Sequence, residues 1–171
     1  MNDQIRKEMK KKRLALSKDE VKERSLLISE KIKELNCYKE AKIIGVYYPI
    51  NNEIELYLDK TLCYPKIDGE NMDFYIPDEF VKGPFNLLEP LGKKIDKKDI
   101  DIIFVPMLAC SGLNRLGYKR GYYDRYLKDY KGLKIGVCYS FQEVEEIKTH
   151  QYDVSLDMII KGWFKWLVSL F

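Results

Sequence analysis

Apolar positions along the chain change spacing several times, and each change marks an element. In residues 2–16, Ile5, Met9 and Leu16 fall at intervals compatible with one helical face. Ser17 followed by Glu20 is a capping-box pair, so a second helix is predicted from there to Leu35. Residues 42–48, KIIGVYY, are a β-prone run closed by Pro49 and read as a buried strand. Residues 53–60 suit a short helix, followed by strands at 62–64 and 72–76. IDIIFV at 100–105, closed by Pro106, is the clearest buried strand. A helical pattern at 120–130, a strand at 133–139 and a last short strand at 157–160 complete the order.

Strands separated by helices predict an α/β domain, with a mostly parallel central sheet flanked by helices in a Rossmann-like, three-layer arrangement. The 171 residues are enough for one domain and too few for two ordinary ones, so residues 1–171 are read as a single unit. Residues 1–35 then supply helices that pack on the sheet, and 162–171 form a strongly apolar tail, read as a core-covering segment or as a dimer or membrane-surface contact. Ligands of such sheets bind beyond the carboxyl ends of the strands, which places the segments after Tyr48, Val105 and Tyr139 near one another.

A net charge of +3 gives no general affinity for nucleic acid, since the positive charge is local, at residues 6–13 and 115–125. Lys10 to Arg13 reads as a solvated helical face. The four cysteines are scattered, without a CxxC pair or partnering histidines, which argues against zinc and against a disulfide framework. No signal-length or membrane-length apolar run is present, so a cytoplasmic protein is expected.

The richest chemistry lies in NRLGYKRGYYDRYL, residues 114–127, between a predicted strand and a predicted helix. Gly117 and Gly121 permit tight backbone geometry, while Arg115, Lys119 and Arg120 surround the loop with positive charge. Asp124 offers a hard oxygen ligand suited to magnesium. A triphosphate needs such an assembly, although a basic, solvated turn with stacked tyrosines would read the same way. Neither a Walker A pattern nor GxGxxG is present.

RLGxxxGYYDRYL, downstream of a strand ending in Val-Pro, resembles the signature of the 5-formyltetrahydrofolate cyclo-ligases, also called methenyltetrahydrofolate synthetases. The resemblance extends over nearly the whole chain: Arg6, then Tyr48-Pro49 through Asn52-Glu53, Pro65-Lys66, Glu89-Pro90, and Gln142 followed by Asp153 and Asp157. It implies that ATP, magnesium and 5-formyltetrahydrofolate are converted to 5,10-methenyltetrahydrofolate, ADP and phosphate. It further implies that Arg6, Arg115, Leu116, Gly117, Tyr118, Arg120, Gly121, Tyr122 and Tyr123 hold ATP, and the charge of Lys119 adds that residue to the set. Of these, Arg115, Arg120 and Lys119 would neutralise the transferring phosphoryl group. Tyr48, Glu53, Tyr118 and Tyr122 would contact the folate, and Asp124 and Asp153 the metal. Small-molecule substrates follow from the same resemblance, and a monomer or weak dimer is expected.

The chain departs from the family pattern in several places. Asn2 stands where a lysine is usual, the loop between Pro106 and Asn114 is one residue short, Lys119 replaces a glycine, and Tyr152 replaces a histidine, leaving His150 two positions away. Two other readings compete: a small nucleic-acid-binding module using the tyrosine-rich loop, and a member of this fold that binds nucleotide without the cyclo-ligase activity.

Overall fold

The computed structural model describes residues 1–162, so the apolar segment 163–171 lies outside the described residues. Helices α1 (Asn2–Leu14), α2 (Lys18–Glu34) and α3 (Asn36–Glu40) come first. Strands β1 (Ile43–Gly45), β2 (Thr61–Asp68), β3 (Asn71–Lys82), β4 (Leu88–Ile95), β5 (Ile102–Val105), β6 (Ala109–Ser111) and β7 (Asn114–Leu116) follow. Then come α4 (Tyr122–Leu127), β8 (Leu133–Tyr139) and β9 (Met158–Gly162).

Seven strands form one sheet in the order β4-β3-β2-β1-β5-β8-β9. The five from β2 to β9 pair in parallel, while β3 and β4 add an antiparallel extension at one edge. Period-two alternation explains the three layers. On β5, Ile102 and Phe104 face one core with Ile28 and Ile32 of α2, and Ile103 and Val105 face another with Tyr126 and Leu127 of α4. Ile28 and Ile32 are almost fully buried, each worth about 1.5–3 kcal/mol. The capping box from Ser17 to Glu20 is formed as expected and starts α2. The hairpin β6–β7 stands apart from the sheet, and α1 packs on it through Met9, which joins Ala109, Leu116 and Ile147.

Three expectations need correction. Residues 53–60 are not a helix but an extended run along α2. Ser25 Oγ accepts from the Glu55 N–H and Ser29 Oγ from the Tyr57 N–H, so α2 supplies the partners that a helix would have found internally. Strands β3 and β4 continue through residues that carry Pro77, Gly92 and several charges, a composition that hid them. Finally, α4 is only six residues long, because the chain turns back at Tyr130, whose hydroxyl donates to the Ile100 carbonyl.

The candidate active site

The chain proceeds from β1 to β2 on one side and returns to β5 on the other, so a crevice opens beyond the carboxyl ends of β1 and β5. A cleft of about 880 Å³ occupies that position. Its walls come from the first turns of α1, the segment after β1, residues 115–124 and the loop carrying His150 and Asp153. The residues expected to touch ATP, folate or metal all line it: Arg6, Tyr48, Glu53, Arg115 through Asp124, and Asp153; of the other motif residues, Pro65 and Glu89 line it and Lys66, Pro90, Gln142 and Asp157 do not. The three segments expected to converge therefore do so.

Residues 115–121 are shaped by sterics. A Cβ on Gly117 would sit 2.8 Å from an Arg115 guanidinium nitrogen, so glycine lets that side chain fold under the loop. Lys119 has φ 79° and Gly121 φ 69°, both left-handed. Lys119 thus adopts the conformation that suits glycine, and the departure from the family pattern leaves a strained lysine. Its Nζ lies on Asp3 Oδ2 at 2.9 Å, and Arg6 donates to both Asp3 Oδ1 and the Gly117 carbonyl, at 2.7 and 2.8 Å. Asn2 exchanges two hydrogen bonds with the backbone of Lys148, closing α1 onto the far wall.

Arg115 is buried and donates to the Pro106 carbonyl at 3.1 Å and to Asp124 Oδ2 at 3.3 Å. Among the described residues, its Nε and the Tyr123 hydroxyl are buried without a hydrogen-bond partner. Each such orphan costs about 1–3 kcal/mol unless something fills the cleft beside it. Arg120 lies over the Phe85 ring at 3.7 Å, joining the 84–86 turn to the basic loop. The Tyr122 hydroxyl and the Arg125 guanidinium bind the carbonyls of Gly69 and Glu70, which ties α4 to the β2–β3 turn. Tyr122 and Tyr123 also pack against the core, so their aromatic bulk serves the fold as well.

The structure also brings in Arg13, which the sequence reading placed on a solvated face. It is instead 1% exposed. Its guanidinium donates to the carbonyls of Asn51 and Met107 and to the Tyr118 hydroxyl, and lies 3.8 Å from Glu53 Oε1. Tyr118 in turn donates to Glu53 Oε1 at 3.0 Å, and the Ile50 N–H donates to Oε2 at 2.9 Å. Burial pushes the Glu53 carboxyl above its ordinary range, opposed first by Arg13. Asn51 and Asn52 both take left-handed φ, which asparagine tolerates, and the Asn52 amide caps the carbonyls of Arg13 and Leu16. That double turn points Glu53 into the cleft. In the sequence, only the helical period could have shown that Arg13 shares the Met9 side of α1.

Two carboxylates, Asp124 and Asp153, line the cleft. Asp124 Oδ1 accepts the Val154 N–H and Asp153 Oδ2 the His150 N–H, so each carboxylate retains acceptor capacity. Among the described residues no group of three or more histidine, cysteine, aspartate or glutamate side chains gathers as a metal cage. Magnesium characteristically takes one or two carboxylates and completes its shell with phosphate and water, which this donor set fits.

A three-layer α/β domain with a cation-rich, carboxylate-bearing cleft at its switch point defines a class of nucleotide-using, small-molecule enzymes. The model of the 5-formyltetrahydrofolate cyclo-ligase family matches residues 1–162, and the chain belongs to that family. A 5-formyltetrahydrofolate cyclo-ligase from Mycoplasma genitalium is 37% identical over 123 residues, covering 70% of this chain and 72% of the relative. The corresponding protein of Mycoplasma pneumoniae is 32% identical, covering 91% and 95%. The NMR structure of Aquifex aeolicus 5,10-methenyltetrahydrofolate synthetase superposes with a TM-score of 0.81 at 34% identity, covering 94% of this chain and 89% of that one.

Proposed function

We propose that this chain catalyses the ATP-dependent cyclisation of 5-formyltetrahydrofolate to 5,10-methenyltetrahydrofolate, releasing ADP and phosphate. The observation that carries the proposal is that Arg6, Glu53, residues 115–124 and Asp153, scattered over 148 positions from Arg6 to Asp153 counted inclusively, line one cleft. Its volume lies at the upper end of the roughly 300–1,000 Å³ typical of ligand pockets, room suited to two ligands side by side.

The formyl oxygen is a poor leaving group. Its attack on the γ-phosphorus breaks the bond to ADP and makes an iminium-like phosphate; N10 then attacks the formyl carbon and gives up its proton to the phosphate oxygens, the C–O bond breaks, and phosphate leaves with that proton. The protein contributes position and charge. Arg6, Lys119 and Arg120 bring positive charge to the phosphate side, and the buried Arg115 guanidinium adds its own charge to the wall of the cleft. Glu53 and Tyr48 hold the folate on the opposite wall, with Tyr118 and Tyr122 between the two sites. Asp124 and Asp153 would hold magnesium, which would neutralise charge on the triphosphate. The substrates are small molecules, and the expected setting is the cytoplasm, as a monomer or weak dimer. Among the described residues no helix is long and apolar enough to cross a membrane.

The test is the appearance of methenyl-folate absorbance with pure protein, ATP, magnesium and 5-formyltetrahydrofolate, and its loss when either ATP or magnesium is omitted. Folded protein that yields no product yet binds single strands in a salt-sensitive manner would overturn the proposal in favour of a nucleic-acid module.

A further inference from the structure

We infer that Arg13 is a positioning residue of this cleft: through Tyr118, and through its own charge, it holds Glu53 as an aimed carboxylate ready for a ligand's N–H donors. The inference rests on the function proposed above for what Glu53 binds, but not for how Glu53 is held.

Glu53 is buried, and an isolated carboxylate there would take up a proton rather than stay charged. Among the described residues, the groups facing it are one cation and four phenols. Arg13 comes from α1 and Tyr118 from the loop after β7. Tyr47 follows β1, Tyr123 lies on α4 and Tyr139 ends β8; each feels the Glu53 charge, which helps hold its hydroxyl protonated. Among the described residues, Arg13 is therefore the single positive charge in this shell. Its geometry is fixed from both sides, since the carbonyls of Asn51 and Met107 and the Tyr118 hydroxyl occupy three directions of the guanidinium fork. The Tyr118 hydroxyl accepts from Arg13 and so turns its own proton toward Glu53 Oε1. With the Ile50 N–H on Oε2, the carboxylate is gripped at both oxygens while each keeps a lone pair. Those lone pairs suit a flat heterocycle that offers adjacent N–H groups, and a protonated Glu53 would meet such donors with a donor of its own.

An arginine that merely braced the core would change stability and leave the ionisation of Glu53 alone, and this separates the two roles. Arg13→Gln keeps a hydrogen-bonding side chain and removes the charge; Arg13→Lys keeps the charge and removes the fork. The acid limb of kcat/KM for the formyl-folate should move to higher pH by about 1–3 units in Arg13→Gln, the range set by an opposite charge at this distance. In Arg13→Lys the limb should stay near that of the unsubstituted protein even if the rate falls. KM for ATP should be unchanged in both. A folded Arg13→Gln protein whose rate drops equally at every pH, or whose limb does not move, overturns the inference. If Arg13→Gln fails to fold, Tyr118→Phe decides: an upward shift supports the relay, and an unmoved limb overturns it. Should the unsubstituted protein make no methenyl-folate, the proposed function fails, and the ¹³C-carboxyl titration of Glu53 in the same variants decides instead. A midpoint raised in Arg13→Gln or Tyr118→Phe supports the inference, and an unchanged midpoint overturns it.

Discussion

Lys119 and Asp3, 116 positions apart, meet at the mouth of the cleft with Nζ 2.9 Å from Oδ2, and the other Asp3 oxygen lies 2.7 Å from Arg6. Two cations proposed to receive phosphate thus share one exposed carboxylate, and the two hydrogen bonds lower the Asp3 pKa, Lys119 first. Incoming phosphate has to displace that carboxylate. Asp3→Asn should therefore lower KM for ATP by roughly two- to fivefold at low ionic strength, a range set by exposed ion pairs. The gain should fade by 0.5 M salt, where such pairs are screened. Equal KM values at both ionic strengths would mean that Asp3 does not compete with the nucleotide.

The backbone of Lys119 leads to a separate expectation. A non-glycine residue at φ 79° carries a cost on the order of 1 kcal/mol. Lys119→Gly should raise the melting temperature of the ligand-free protein, yet weaken ATP binding because a phosphate-side charge is lost. Lys119→Ala should weaken ATP binding without the gain in stability. Melts with and without ATP on the three proteins check this, and the same ATP-induced shift in all three would show that Lys119 touches no phosphate.

Strand 100–105 and the RLGYKRGYYD loop were legible because their information is local: four consecutive apolar residues buried on both faces, and glycines that a tight loop requires. Lys119 could be marked as a strained position before any coordinates, since the constraint on φ belongs to the residue itself. Other features depend on partners distant in sequence. Residues 53–60 have acceptable helix propensity, but two serines of α2 offer their backbone other partners. Arg13 belongs to a basic run, and nothing nearby shows that Met107, Tyr118 and Glu53 will close over it. The β3–β4 extension is half-exposed, so the alternation that would have marked it is weak.

Asp124 joins two functions whose removal should be separable. It pairs with buried Arg115 and it faces the cleft as a proposed magnesium ligand. Asp124→Asn should lose most activity, with partial recovery at raised magnesium. Because the amide removes the carboxylate paired with Arg115 and leaves only the more weakly placed Asp153 charge acting on it, stability should also fall, by no more than about 3 kcal/mol, the lower limit for breaking a fully buried pair. Denaturant unfolding measures the second effect and a magnesium titration of the rate the first. If magnesium restores nothing, Asp124 serves Arg115 alone.

Glu53→Gln should give the converse result, a more stable protein that cannot work. The folded-state pKa of Glu53 is raised above its ordinary 4.5, chiefly by burial, with Arg13 the largest opposing influence. Below about pH 4.5 the carboxyl is neutral in both folded and unfolded chains, and its ionisation costs the fold nothing. As pH rises from there toward the raised folded value, the unfolded chain releases its proton first. The folded chain then binds more protons than the unfolded one, and stability declines with pH across that window. Above the folded value both forms are charged and the lost share stays lost. Glutamine keeps the shape and never ionises, so this decline is absent from the variant. The difference in melting temperature, variant minus unsubstituted, should be small near pH 4 and grow in favour of glutamine as pH rises toward neutrality, while formyl-folate turnover stays abolished. A difference that is flat from pH 4 to 8 would mean that Glu53 titrates as an ordinary carboxylate despite its burial.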